Sequence, residues 1–166
     1  MSLNAARACQ GFTLLEVLIA ALVLGVGLLG LAGLQTLGLR GSLSAVQRSV
    51  ATQLAAEIID RIRANPGALG NGNYDNQAGT NAIDCLWNAC SDAQTADYDL
   101  SQWAAEVKKR LPDGSGVVCT DGSPDDGTPV STGCGGGGTY TVKIWWDDDR
   151  TGDAEQYQRF STSFSP

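Results

Sequence analysis

Histidine is absent from the 166-residue chain, methionine occurs once, and aromatic residues make up only 7% of it. Each shortage excludes something. Without imidazole there is no Ser-His-Asp or Cys-His nucleophile pair, and the commonest zinc ligand is missing. Basic residues are scarce too, with 11 Lys plus Arg against 18 Asp plus Glu and a formal net charge of -7. Nucleic-acid binding draws on clustered Lys and Arg, so this balance argues against it. What remains is a chain of one ordinary domain length, 43% hydrophobic, whose 21 Gly imply much turn and loop.

The apolar residues are concentrated at one end. From Phe12 to Leu34 the sequence reads FTLLEVLIAALVLGVGLLGLAGL, with one charge at Glu16. As a helix this run is roughly 35 Å long, enough for a hydrocarbon core of about 30 Å. Beyond Arg40 the chain is markedly more polar, so it reads as a membrane segment joined to a modest soluble head. Three kinds of N-terminus compete. A removable secretory signal has a shorter apolar run, about 7–15 residues, before a small-residue cleavage site. A plain anchor fits the length but leaves Glu16 unexplained, since a charge in lipid costs at least about 2.5–3.5 kcal/mol. The third is a prepilin signal.

Gly11-Phe12-Thr13-Leu14-Leu15-Glu16-Val17-Leu18-Ile19-Ala20 resembles the class III signal of type IV pilins and their relatives. The resemblance implies cleavage after Gly11 by prepilin peptidase on the cytoplasmic face, then N-methylation of the new terminal Phe12. The leader MSLNAARACQG carries Arg7 and no acid, which suits retention in the cytoplasm. Cleavage places an amine on Phe12, four residues before the Glu16 carboxylate. In a filament that carboxylate enters an apolar helical bundle and needs a cation, and the Phe12 amine of a neighbouring subunit supplies one. A buried charge stripped of its partner costs several kcal/mol, so the pair acts as a docking register. Leu14, Leu15, Val17, Leu18 and Ile19 are lipid-facing bulk before extraction and filament core afterwards. Gly25, Gly27, Gly30 and Gly33 permit close helix packing and each lowers helix stability by about 1 kcal/mol; close packing and local unwinding in a filament both stay open.

The helix is expected to continue. Leu43, Val46, Val50, Leu54, Ile58 and Ile62 recur every three or four residues as one apolar stripe, with Arg48, Gln53, Asp60 and Arg63 on other faces. Asn65-Pro66-Gly67 is the stop signal. A helix from Phe12 to Ala64 extends about 80 Å, a stalk whose first half serves membrane or filament and whose second half supports the head. Val26-Gly27-Leu28-Leu29-Gly30-Leu31-Ala32-Gly33-Leu34-Gln35, then Arg48-Ser49-Val50-Ala51-Thr52, Asp60-Arg61-Ile62-Arg63-Ala64-Asn65-Pro66 and Tyr74, resemble the PilV subgroup of minor pilins, the type IV pilus modification proteins. A major pilin fits less well, because Gram-negative major pilins usually end in a disulfide-closed loop and the last cysteine here is Cys134. The alternative within the family is a pseudopilin of a type II secretion system.

Five cysteines become four when the leader takes Cys9 away: Cys85, Cys90, Cys119 and Cys134. An even set in a periplasmic head predicts two disulfides. Of three pairings, Cys85–Cys90 with Cys119–Cys134 is favoured because both close local loops. The rival is a four-Cys zinc site, but no Cys-x-x-Cys pair occurs. Residues 67–84 read as a connecting loop. Asp99 with Gln102 predicts the start of a short amphipathic helix carrying Leu100, Trp103, Val107 and Leu111 and ending before Pro112-Asp113-Gly114. Strand signals follow at Gly116–Cys119, Thr139–Trp146 and Tyr157–Phe164. In the second, Tyr140, Val142, Ile144 and Trp146 alternate with Thr141, Lys143 and Trp145, one face packing on the stalk and the other partly wet. The expected fold is α+β, a long helix on a small antiparallel sheet, with a leader at 1–11, a membrane and filament helix at 12–34, its amphipathic continuation at 35–64 and the head at 65–166.

Little else suggests chemistry. The acidic turn from Asp147 to Glu155 offers oxygens for Ca²⁺ but lacks an EF-hand order and reads as a solvated hairpin turn, as does Asp121 to Asp126. Gly133 to Gly138 is no phosphate cradle, since Gly-Lys-Ser/Thr is missing; it reads as a flexible, disulfide-pinned loop. Trp87, Trp103, Trp145 and Trp146 are expected in or near the core. A membrane-tethered periplasmic enzyme would need a nucleophile–base pair or a metal spacing, and neither is evident. The expectation is a structural minor pilin of the inner membrane and then the fibre, without catalytic residue, cofactor or metal. By resemblance its partners are other minor pilins and the major pilin, the prepilin peptidase and N-methyltransferase, and the assembly platform in the inner membrane. It would help prime pilus assembly and so support twitching motility and adhesion.

Overall fold

The computed structural model describes residues 11, 13–75 and 84–165. Phe12, Arg7 and Cys9 lie outside the described residues. The chain divides into two compact units, one ending at Leu43 and the other beginning at Ser44. Helix α1, Leu14–Ala64, contributes to both; it begins two residues later than the apolar pattern suggests.

In the first unit every described side chain from Leu14 to Leu43 is exposed, as expected of a segment whose solvent is not water. The helix is continuous through Gly25, Gly27, Gly30 and Gly33. A Cβ added at any of these four positions would meet nothing within 4 Å.

In the second unit α1 buries Ala51, Leu54, Ala55, Ile58 and Ile62, the i, i+3, i+4, i+7 pattern of a core-facing stripe. The expected stripe is therefore too long at its N-terminal end. Leu43 and Val46 are 62% and 57% exposed, and burial starts only at the half-covered Val50. Pro66 does end α1, and it also opens α2, Pro66–Gly70, where its missing N–H is harmless and Asn65 Oδ1 accepts from Ala68 N at 3.3 Å.

Helix α3 spans Asp92–Arg110, so it starts seven residues before the predicted Asp99 cap. Its cap is Ser91, whose hydroxyl accepts from Gln94 N while Gln94 Oε1 accepts from Ser91 N, a reciprocal capping box. Asp99 sits inside the helix. Leu100, Trp103 and Val107 face the core, as predicted.

Strands β1 (Ser115–Asp121), β2 (Thr139–Trp146) and β3 (Gln158–Phe164) form one antiparallel sheet in the order β1-β2-β3. Val118 pairs with Val142 and Ile144 with Phe160. The sheet, α3 and the Ser44–Ala64 part of α1 share a core containing Leu54, Ile58, Trp103, Val142, Ile144 and Trp146. Trp103 fixes its spacing. The indole Nε1 donates to the Leu54 carbonyl at 2.9 Å, and a Cβ on Gly116 would lie 2.5 Å from Trp103 Cη2. The glycine is there for close approach.

One face of β2 departs from the expectation. Thr141, Lys143 and Trp145, expected to be partly wet, are as buried as the residues facing α1. Residues 121–134 fold across them: Trp145 Nε1 donates to Gly127 O, and the Cys119–Cys134 disulfide lies against Trp145. The architecture is a long N-terminal helix on a small three-stranded antiparallel sheet, an α+β fold.

Candidate functional site

The residues singled out for processing and assembly lie at the start of α1. Gly11 is exposed and open on all sides; Phe12 is outside the described residues. Thr13 caps the helix, its carbonyl accepting from Glu16 N at 3.1 Å and from Val17 N at 3.3 Å, and its hydroxyl from Glu16 N at 3.3 Å. Thr13-x-x-Glu16 thus puts the carboxylate in the first turn, at the positive end of the helix dipole. The Thr-x-x-Glu spacing signals this cap, and reading Glu16 by its charge alone misses it. A cap makes an acid at this position locally reasonable. It does not neutralise it, and among the described residues no ion pair reaches Glu16.

The head's four cysteines close two loops, Cys85–Cys90 and Cys119–Cys134, with Cα separations of 5.7 and 6.0 Å. The first holds out an apolar tip. Trp87 is 86% exposed and Leu86 76%, which corrects the expectation that Trp87 belongs in or near the core. A six-residue disulfide loop is too tight to fold its own tip back onto the head. Trp103, Trp145 and Trp146 are buried.

A polar network ties α1, α2 and α3 together. Tyr74 OH donates to Asp99 Oδ2 at 2.8 Å and accepts from Asn65 Nδ2 at 3.3 Å, while the same amide donates to Asp92 O at 2.9 Å. Arg61 bridges Glu57 and Asp99. Burial, and then the hydrogen bond to the Asp99 carboxylate, push the Tyr74 phenol well above its ordinary range. Arg61, Asn65 and Tyr74 are among the residues on which the PilV resemblance rests. They hold the turn after the stalk against α3.

The segment Asp121 to Asp126 is the largely exposed turn expected of it, but it is anchored to the head and Asp121 itself is buried. Lys143 Nζ, fully buried, lies 2.6 Å from Asp121 Oδ2 and 2.7 Å from Asp126 Oδ1, and donates to the carbonyls of Asp126 at 3.2 Å and Thr132 at 3.1 Å. The ammonium sits in a cage of four oxygens that pins the segment over β2. The hydrogen bond from Lys143 holds both carboxyls below the usual carboxylate range, helped by Ser123 in each case. Sequence reasoning missed this cluster; its one signal is a lysine flanked on its own strand face by Thr141 and Trp145. Gly133 to Gly138 is the disulfide-pinned loop expected of it, held through Cys134, with Gly136 bridging to Asp121. The acidic turn after β2 is also organised from within, Asp147 accepting from Thr151 N at 3.2 Å and Gly152 N at 2.7 Å. Among the described residues no group of three or more Cys, Asp or Glu is placed to hold a metal ion.

Comparison with known proteins adds two matches. Residues 6–32 match the family model of the prokaryotic N-terminal methylation motif, and residues 33–101 match the Tt1218-like model, described as type IV pilin Tt1218. No curated protein and no solved structure matches the chain. The methylation motif runs over the start of α1 and its lone acid, and the pilin match over the rest of α1 and the Arg61–Asn65–Tyr74–Asp99 network. Over residues 6–101 the chain carries the methylation motif and the matched body of a type IV pilin, and on those two matches it is a type IV pilin.

Proposed function

We propose that this pilin is a minor, PilV-like subunit. It inserts in the inner membrane with its head in the periplasm and is cut after Gly11 by prepilin peptidase. N-methylation of Phe12 follows, and the subunit enters the type IV pilus at low abundance. Pilins are structural proteins, and the work assigned here is binding: it helps prime assembly with other minor pilins and the major pilin at the assembly platform, and so supports twitching motility and adhesion. The observation that carries this reading is Glu16, the one acid of the first unit, at the mouth of a helix whose every described apolar side chain up to Leu43 is exposed. Such a helix has to be covered by lipid and then by other helices. In the second setting the carboxylate requires a cation, none pairs with it among the described residues, and the Phe12 amine of an adjoining subunit is of the right sign and at the right end.

The test is deletion with complementation, shearing of surface fibres and mass spectrometry of the sheared fraction. The expected result is a sub-stoichiometric chain beginning at N-methylated Phe12. Glu16→Ala should leave membrane insertion intact and lower the amount in fibres. Intact, functional fibres containing the chain with Met1 to Gly11 still attached would overturn the reading, as would a deletion that abolishes exoprotein secretion while pili persist.

A further inference from the structure

The head carries a cleft of about 790 Å³ between the C-terminal end of α3, the turn after β2 and Gln47 of α1. In a chain of net charge -7 its rim is basic: Lys108, Lys109, Arg110 and Arg150 line it, against two acids. Those acids are already engaged. Asp147 accepts from two backbone N–H groups of its own turn, and Asp113 Oδ2 accepts from Tyr157 OH at 3.3 Å. The cations are less well satisfied. Lys109 pairs with Glu106 and Arg110 donates to Gln53, whereas Lys108 and Arg150 make no ion pair among the described residues. Arg150 is held with φ at 56°, a backbone that a non-glycine residue adopts only at a cost, in the turn that Asp147 organises. Gln47, half-buried, lines it from α1.

We infer that this cleft is a docking site for an acidic polypeptide segment on the head of an adjoining pilin subunit. The charge selects an anion, and the size of the cleft selects the kind. A peptide carrying Asp or Glu brings carboxylates for Lys108 and Arg150. The volume suits a short segment of chain rather than a single small ion. Outside the cleft this chain is acidic, so a contact between a basic cleft and an acidic face joins two different surfaces and is heterologous, the kind of interface that propagates along a helical fibre. The inference rests on the assembly role proposed above, and its experiment separates the two.

The experiment is carbodiimide coupling on whole piliated cells, which joins lysine amines directly to carboxylates, followed by separate mass spectrometry of fibres and envelopes. The expected result is Lys108 or Lys109 linked to Asp or Glu of another pilin chain. Lys108→Arg should abolish the Lys108 link, because a guanidinium does not couple to an activated carboxylate. Lys108→Glu combined with Arg150→Glu, both exposed, should leave the near-ultraviolet circular dichroism unchanged and lower the fibre-to-envelope ratio about tenfold, since opposed like charges cost several kcal/mol. A chain found in fibres with no cleft link and with normal incorporation of the double variant overturns the inference while the assembly role stands. Cleft links to another pilin in envelopes, from a chain never found in fibres, support the cleft and remove the fibre role. Lysines shielded from acylation in envelopes but not in fibres assign the cleft to lipid headgroups and also overturn it.

Discussion

Lys143→Met is the sharpest perturbation the head offers. Lys143 is fully buried and Asp121 is 2% exposed, so methionine replaces the stem of the lysine at similar volume and removes only the ammonium. Four oxygens then lose their common donor, and Asp121 is left as a buried charge without a counter-ion. Breaking a buried pair on one side costs about 3–5 kcal/mol. For a head of this size that corresponds to a fall in Tm of at least about 12 °C. The assay is thermal unfolding of the detergent-solubilised full chain followed by near-ultraviolet circular dichroism, which reports the tryptophans buried on both faces of β2. Acid supplies a second readout. Because the Asp121 carboxyl is held below its ordinary range chiefly by Lys143, its contribution is present above the unfolded value of about 3.9 and is lost as pH falls through the folded value. Wild type should therefore lose stability in acid at this site, and Lys143→Met should lose less. A variant within about 3 °C of wild type, with an unchanged acid profile, would refute the cage.

Three further outcomes can be checked on the same preparation. Gly116→Ala drives a methyl to within 2.5 Å of Trp103 Cη2 and should cost about 1–3 kcal/mol, with a changed near-ultraviolet tryptophan band; an unaltered band would mean that Trp103 does not lie over β1. Tyr74→Phe removes the donor to Asp99 and should cost about 1–2 kcal/mol. Because the phenol is raised in the folded state, its contribution is full below about pH 10 and is lost as pH rises from there through the folded value, so the wild type should weaken more in alkali than the variant, as followed by fluorescence. Cys119→Ser with Cys134→Ser opens a loop of sequence separation 15 and should cost about 3 kcal/mol, whereas opening Cys85–Cys90, whose loop is shorter and whose tip touches no core residue, should cost less; equal losses measured by urea unfolding would contradict that ranking.

What the sequence made legible follows the range of the interactions involved. The first half of α1 was readable because its environment is uniform: a run that is apolar on every face needs no knowledge of the rest of the chain. The buried half was readable from Leu54, Ile58 and Ile62, but the stripe alone could not say that coverage stops near Val50, because that depends on how far the other elements of the head reach. The start of α3 was misplaced because Asp92 to Asp99 dilute the apolar periodicity, although Ser91-x-x-Gln94 already spelled out the cap. Trp87 was misplaced because hydrophobicity states a preference for burial, and a six-residue disulfide loop removes the freedom to act on it. Lys143 was misplaced because alternation along a strand assumes that a charged residue marks the wet face. The covering segment, 121–134, is joined to that face by contacts 11 to 22 residues apart in sequence, which no local pattern encodes.

Glu16 and Lys143 pose the same physical problem and meet opposite fates. Each is a solitary charge in an apolar stretch, and each costs several kcal/mol if it is stripped of water and left unpaired. Lys143 is answered inside its own chain, by two carboxylates and two carbonyls that are in place without any partner molecule. Its role is therefore structural, and its removal should be read in Tm. Glu16 has a helix cap behind it and no cation among the described residues. In water or at a membrane surface that state is tolerable; among packed apolar helices it is not. Among the described residues Glu16 has no compensating charge, and in the proposed assembly another chain supplies it, so Glu16→Ala should be silent in the unfolding of the head and visible only in the amount of subunit recovered from fibres. An equal loss of thermal stability and of incorporation in that variant would place Glu16 in the same structural class as Lys143 and remove the reason for assigning it to assembly.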